Sequence, residues 1–295
     1  MSLKNIVNFF SKCINASSSN TLEDQNIGTN IQDHYELEQN SALTGMGKYG
    51  LVKKAKRRVN GVKVAVKEVQ KSSLTLERLE NGLPLESKIL SFLSHLQTTP
   101  ELYDCFETPS SFHLAMKLLP GQTLMEFVRA NGPLEEHLAA KIFGQLVKAV
   151  KDLQDSGVLH GNLKEDNIMI YISSHGILKL FLIGFGASNW FLCHKRYSNF
   201  YGDLVNIPPE WLMYQYFYGE PFSVWSMGTL LYSILFGQMP FVSEDEVIQC
   251  RLRWPSHISV SLLAKDLILR CLAREQLSRA TLVEILSHRW LTGCH

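Results

Sequence analysis

157-GVLHGNLKEDNIMI-170 is an apolar run, a polar loop and a second apolar run. Val158 and Leu159 lead into His160, and Ile168 to Ile170 follow Asn167. Between them the loop holds Asn162, Lys164, Glu165 and Asp166. An enzyme's catalytic loop reads this way, with one departure. Asn162 stands where a proton acceptor belongs; a neutral amide takes no proton, although its carbonyl can still orient a hydroxyl. The residues outward from this loop bear on whether the chain lost its chemistry or moved it.

The chain has 295 residues, enough for one large two-lobed domain or two small ones. Hydrophobic residues make up 45% and charged residues 19%, so a core has ample material. A formal net charge of +1 gives no electrostatic case for nucleic acid. Six cysteines without a C-x-x-C pair read as reduced thiols rather than a disulfide framework or zinc site. No apolar run approaches the ~20 residues of a membrane span, and the Met-Ser start lacks a myristoylation glycine and a signal-peptide core. The expectation is a soluble, intracellular monomer, cytoplasmic and with nuclear residence left open.

Residues 1–33 read as a tail apart from the domain. Leu3, Ile6, Val7, Phe10 and Ile14 fall at helical spacing, followed by a polar linker. A partner- or membrane-surface helix and a loosely packed tail are both open there. From Tyr35 to Val69 apolar residues alternate, with a hairpin signal at Asn60-Gly61. The tract Lys53 to Arg58, KKAKRR, reads either as a nuclear-localisation signal or as the solvated side of a strand. A helix is expected over 76–96, and two strands over 102–119 around Pro109-Ser110. Beyond Gly121 come helices at about 135–157, 223–237, 261–273 and 281–291. Strands first and helices after mean an α+β fold in two lobes.

Gly45, Gly47, Gly50 and Val52 form G-x-G-x-x-G-x-V, glycines letting a hairpin backbone lie close over phosphates. Past the Asn-Gly turn, VAVK brings Lys67, whose ammonium can pair with phosphates, and the small Ala65, which leaves room for an adenine ring. Glu86 follows in LPLESKIL as a partner for that lysine, since an unpaired buried charge is costly. Then come HGNLKEDN, IGFGAS and PPEW. In this order and spacing the chain resembles a eukaryotic protein kinase over about residues 35–295. Within that superfamily it looks most like the PIM group of serine/threonine kinases, on SGVLHGNLKEDNI, ILKLFLIGFGAS, IPPEWLMYQYFYG, VWSMGTLLYSILFGQMPF and SHRWL.

The resemblance implies a domain over 34–293: a β-rich N-lobe with one main helix over about 34–117, a hinge at 117–121, and a helical C-lobe over 122–293. It also implies ATP and Mg²⁺ as cofactors and protein or basic-peptide partners. By that resemblance Gly45, Gly47 and Gly50 cover phosphates, Lys67 contacts the α/β-phosphates, and Glu86 is its ion-pair partner. Met116 falls at the gatekeeper position, and the Lys117 to Leu119 backbone holds adenine. Lys164 steadies the transferring phosphate, Asn167 is a metal ligand, and Glu210 pairs with Arg279.

Several positions depart from the family. Asn162 replaces the catalytic Asp, and Gly184 in GFG replaces the magnesium-binding Asp. Gly161 replaces the Arg that receives an activation-loop phosphate, leaving one on Tyr197 or Ser198 without its usual partner. Ser223 stands where many kinases brace the catalytic loop with a buried Asp, an acid the PIM group also lacks. Asp203 occupies a position usually held by Thr; either it replaces the lost charge beside Lys164 and Asn162, or a relaxed site drifted to Asp. Glu165 and Asp166 are expected as surface or substrate contacts, with Glu126 and Glu165 keeping some acidic lining for a basic peptide. Three readings follow: a pseudokinase that binds nucleotide weakly or without metal, an active kinase with relocated groups, and an interaction module that binds no nucleotide.

Overall fold

In the computed structural model, residues 30–42, 50–203 and 206–293 are described. The readings placed on residues 1–29, and on Gly45 and Gly47, lie outside them. The chain falls into two units, one of residues up to Glu77 with Leu102–Leu118, the other of Arg78–Glu101 with Leu119 onward.

The first unit is one antiparallel sheet. Its strands are β1 (Tyr35–Ala42), β2 (Leu51–Arg57), β3 (Lys63–Gln70), β4 (Leu102–Glu107) and β5 (Ser111–Lys117), in the order β1-β2-β3-β5-β4. Asn60-Gly61 forms the turn between β2 and β3, with Gly61 at φ +70° and the Arg57 N–H donating to the Val62 carbonyl at 2.8 Å. Alternation divides the sheet into two faces. One packs Ala55, Val64, Val66, Phe106 and Ala115 with Ile31 and Tyr35, and the Tyr35 hydroxyl donates to Asp104.

The second unit holds α1 (Leu85–Phe92), α2 (Leu124–Asn131), α3 (Glu136–Asp155), α4 (Gly219–Phe236) and α5 (Leu262–Cys271). The sequence predicts helix from 76, but residues 79–84 form a small hairpin, Leu79–Glu80 against Leu83–Pro84. The turn residues explain the difference: Asn81 and Gly82 adopt φ +52° and +77°, and proline delays the helix. The segment 78–101 groups with the helices by its contacts, as when the Leu182 N–H donates to the Thr98 carbonyl at 2.7 Å.

On α3, buried Ile142, Phe143, Leu146, Val147, Val150 and Leu153 recur at helical spacing. α4 is apolar on nearly every side and buried almost throughout. Strands β6 (Ile168–Ile172) and β7 (Leu178–Leu182) pair antiparallel, and Gln122–Thr123 extends the β6 edge. Gly121, at φ +98°, makes that approach possible, because a Cβ there would lie 2.1 Å from the Ile170 carbonyl oxygen. The helix expected over 281–291 divides at Ser287 into Leu282–Leu286 and Arg289–Thr292.

Candidate functional site

In the first unit, register places Val52 opposite Lys67 and Lys67 opposite Leu114, while Ala65 lies opposite Met116. Directly opposed residues and residues two apart share a face. Val52, Ala65, Lys67 and Met116 therefore line one face of the sheet, away from the Tyr35 cluster. Lys67 is buried at 6% exposure. Gly50 sits at φ +113°, where a Cβ would meet the Glu68 carbonyl oxygen at 2.0 Å, so only glycine fits. In the second unit Glu86 is buried in the first turn of α1.

The loop between Leu159 and Ile168 is held by polar bonds at nearly every residue. His160 is 2% exposed. Its Nε2 contacts the Ile183 carbonyl at 2.9 Å, and its Nδ1 receives the Asn162 N–H at 3.3 Å. That pair of bonds requires the neutral tautomer with hydrogen on Nε2. Burial drives the imidazole down to about 4, against a small opposing effect from the Ile183 carbonyl. Unfolded, the same ring takes a proton near pH 6.5. Its stabilising contribution is thus complete above pH 6.5 and is lost as pH falls toward 4. We expect a loss of about 3 kcal/mol across that window, and His160→Phe should flatten the corresponding slope of urea-measured stability against pH.

Ser188 Oγ donates to the His160 carbonyl at 2.8 Å, and Asn206 Nδ2 donates to the Leu163 carbonyl at 2.7 Å. The Thr229 hydroxyl on α4 fixes Asn206 through its Oδ1 at 2.8 Å. Ser223 bonds back to the Gly219 carbonyl within its own helix, so Asn206 and Thr229 brace the loop. Arg78 grips the segment beyond it. Buried at 5% exposure, it donates to the Gly186 and Ser188 carbonyls at 2.7 and 2.8 Å and lies 4.8 Å from the Tyr201 ring centre. Tyr197 is buried, its hydroxyl donating to the Trp190 carbonyl, whereas Ser198 is exposed.

Several of the expected site residues come together around Lys164. Its ammonium lies 2.6 Å from Asp203 Oδ2 and 3.4 Å from Asp166 Oδ2. Burial pulls the Lys164 amine downward, but the bond and charge of Asp203, then of Asp166, outweigh it and hold the amine above its ordinary value. The Asp203 N–H donates to Asn162 Oδ1 at 3.3 Å. Asn167 Nδ2 donates to the Asn162 carbonyl at 2.8 Å. Gly184 adopts φ +77°, and a Cβ there would stand 2.2 Å from Asn167 Oδ1. The Asn167 amide thus occupies the place a side chain at 184 would need. Gly161 is equally constrained, at φ +80° with a Cβ 2.3 Å from the Ala187 carbonyl oxygen.

Two acidic residues of the expected lining have surroundings of their own. Glu165 is 9% exposed rather than a surface contact, and Glu126 closes a capping box with Thr123 at the start of α2. The expected Glu210–Arg279 pair is present as a fully buried bidentate bridge, with bonds of 2.8 and 2.6 Å.

This loop, its glycine-bearing strand unit and the buried Glu–Arg bridge are those of a protein kinase. The chain belongs to that family: a protein kinase domain profile matches residues 38–291. Serine/threonine-protein kinase prk-2 of Caenorhabditis elegans is 32% identical over 266 residues, 88% of this chain and 59% of that protein. Serine/threonine-protein kinase pim-2 of Danio rerio is 29% identical over 276 residues, covering 89% and 87%. The human SNF-related serine/threonine-protein kinase is 31% identical over 267 residues, covering 88% of this chain and 34% of that protein. The chain thus spans less than two thirds of prk-2 and of the SNF-related kinase. It is a member of the serine/threonine protein kinase family, whose members generally use ATP and Mg²⁺. No helix among the described residues is long and apolar enough to cross a membrane.

The residues present do not fit the family's magnesium site. Gly184 offers no ligand, Asn167 packs its amide oxygen against that glycine, and the nearby acids Asp203 and Asp166 are engaged by Lys164.

Proposed function

We propose that this chain is a PIM-like pseudokinase that binds nucleotide weakly and without magnesium, and acts by holding a protein partner or basic peptide. Gly184 carries this reading, because it offers no side-chain ligand and the Asn167 amide oxygen lies where its Cβ would stand. Asn162 supplies an amide already engaged by Asp203 in place of a base. Loss of a general base removes about 10²–10⁴ in rate, and loss of metal stabilisation roughly another 10²-fold or more. From a usual ~1–100 s⁻¹, about one turnover in minutes to days would remain. The buried Lys67 on a face with Val52 and Ala65 supports retained nucleotide contact.

A second reading is slow transfer through relocated groups, favoured by Asp203 lying against both Lys164 and Asn162. That carboxylate is occupied by the Lys164 ammonium at 2.6 Å, and for that reason we rank this reading second. Melting temperature and γ-phosphate transfer to a basic peptide test the choice, with Lys67→Met as the blank. The expected result is an ATP-induced rise in melting temperature, equal with Mg²⁺ or EDTA, and transfer at the level of the blank. Mg²⁺-dependent transfer that Asp203→Ala abolishes would establish the second reading. No response to ATP would leave an interaction module without nucleotide.

A further inference from the structure

The hairpin joining β2 and β3 takes no part in the site. Residues 53–63, KKAKRRVNGVK, carry six of the chain's 29 lysines and arginines and no acid. Register sets Lys56 directly opposite Lys63, a like-charge pairing that destabilises a sheet. Compensation is partial: Glu36 lies opposite Lys56 on β1, and Asp104 is 3.8 Å from Arg57. Lys56, Arg58 and Lys63 are all exposed.

The turn itself is apolar where turns are usually polar. Val59 is 81% exposed and Val62 46%, flanking Asn60-Gly61. These valines are presented by a fixed frame. The Gly61 N–H donates to the Arg57 carbonyl at 2.8 Å, and the Val62 N–H to Asn60 Oδ1 at 3.1 Å. Arg58 is tied to the turn at 31–34, its N–H on the His34 carbonyl and its Nε on the Gln32 carbonyl, both at 2.8 Å.

We propose that this hairpin docks on an anionic lipid bilayer, Val59 and Val62 entering the headgroup region while Lys56, Arg58 and Lys63 face acidic headgroups. Charge complementarity selects an anionic partner, and the apolar tip selects a lipid surface over an acidic protein segment. No aromatic side chain stands in the turn for a nucleic-acid base to stack on. Each cation near such a surface strengthens binding about fivefold. Three cations and a small apolar tip give weak, reversible association that salt screens.

Sedimentation of the full chain with vesicles tests this, using phosphatidylcholine alone and phosphatidylcholine mixed with phosphatidylserine. The expected result is binding to the mixed vesicles only, weakened by added salt. Lys56→Glu/Arg58→Glu/Lys63→Glu should lower it about a hundredfold, and the uncharged Val59→Asn about threefold to tenfold. All four side chains are exposed, so both variants should stay folded; the triple variant alone should melt slightly lower, from the lost Arg58 bond to the Gln32 carbonyl and an acid set opposite Glu36. Equal binding to both vesicles, or unchanged binding by the triple variant, would overturn the proposal. A loss confined to the charge variant would overturn it too, leaving a hairpin that binds polyanions without insertion. The salt dependence of the parent chain needs no variant at all.

Discussion

Asn162→Asp combined with Gly184→Asp should raise γ-phosphate transfer to a basic peptide about 10⁴-fold or more over the parent chain. EDTA should return the double variant to the Lys67→Met blank. Each single change should gain far less, because groups that act as a unit contribute non-additively. The gain comes with a loss of stability. A side chain at 184 displaces Asn167 Oδ1 from a point 2.2 Å from its Cβ and puts the Asn167–Asn162 bond at risk. With the left-handed backbone at φ +77°, we expect about 2–3 kcal/mol from the lost bond and the strain together. A folded double variant that stays at the blank would count against this account of the inactive site. The Asp203–Lys164 pair would then be the block, and Asp203→Thr in that background the next change.

Arg279→Met should lower stability by about 3–5 kcal/mol in urea denaturation. Its guanidinium donates to both Glu210 oxygens, to the Ala273 carbonyl at 2.9 Å and to the Pro221 carbonyl at 3.0 Å, with the Trp225 ring centre 4.7 Å away. Both charged side chains are essentially excluded from water, at 0% and 2% exposure. Truncating one leaves the other buried and unpaired, which is the costly case. Arg279→Lys should rescue little, since an ammonium cannot reproduce the planar fork. Arg279→Met with Glu210→Met should recover part of the loss by removing the stranded carboxylate. A single variant as stable as the parent would show that water or another cation reaches Glu210.

What the sequence made legible was what periodicity and spacing carry. The Asn60-Gly61 signal marked the turn between β2 and β3, and helical spacing over 135–157 gave α3 within two residues at each end. The two-residue step from Ala65 to Lys67 sets those two on one face of a strand, whereas only the register brings Val52 onto it. Asn81-Gly82 carried the same turn signal as Asn60-Gly61 but was absorbed into an expected helix, because apolar residues on either side fit a 3.6 period. The brace from Thr229 through Asn206 to Leu163 joins residues 23 and 43 positions apart, and no local pattern reports such a bond. Arg78 reaches carbonyls 108 and 110 positions away. Glu126 looked like a substrate contact, although Thr123 three residues before it was a capping-box signal. The missing acids at 162 and 184 were plain in the sequence. That Asn167 Oδ1 lies where a Cβ at 184 would stand was not.

Gly161 shows how a distant residue can restrict what one position accepts. An arginine codon there would meet the Ala187 carbonyl, 2.3 Å from the new Cβ. Ala187 cannot simply yield, because Arg78 holds the carbonyls on either side of it, at Gly186 and Ser188. A side chain at 161 is therefore opposed by a residue 83 positions away in the sequence, whose bonds hold the segment it would have to push aside.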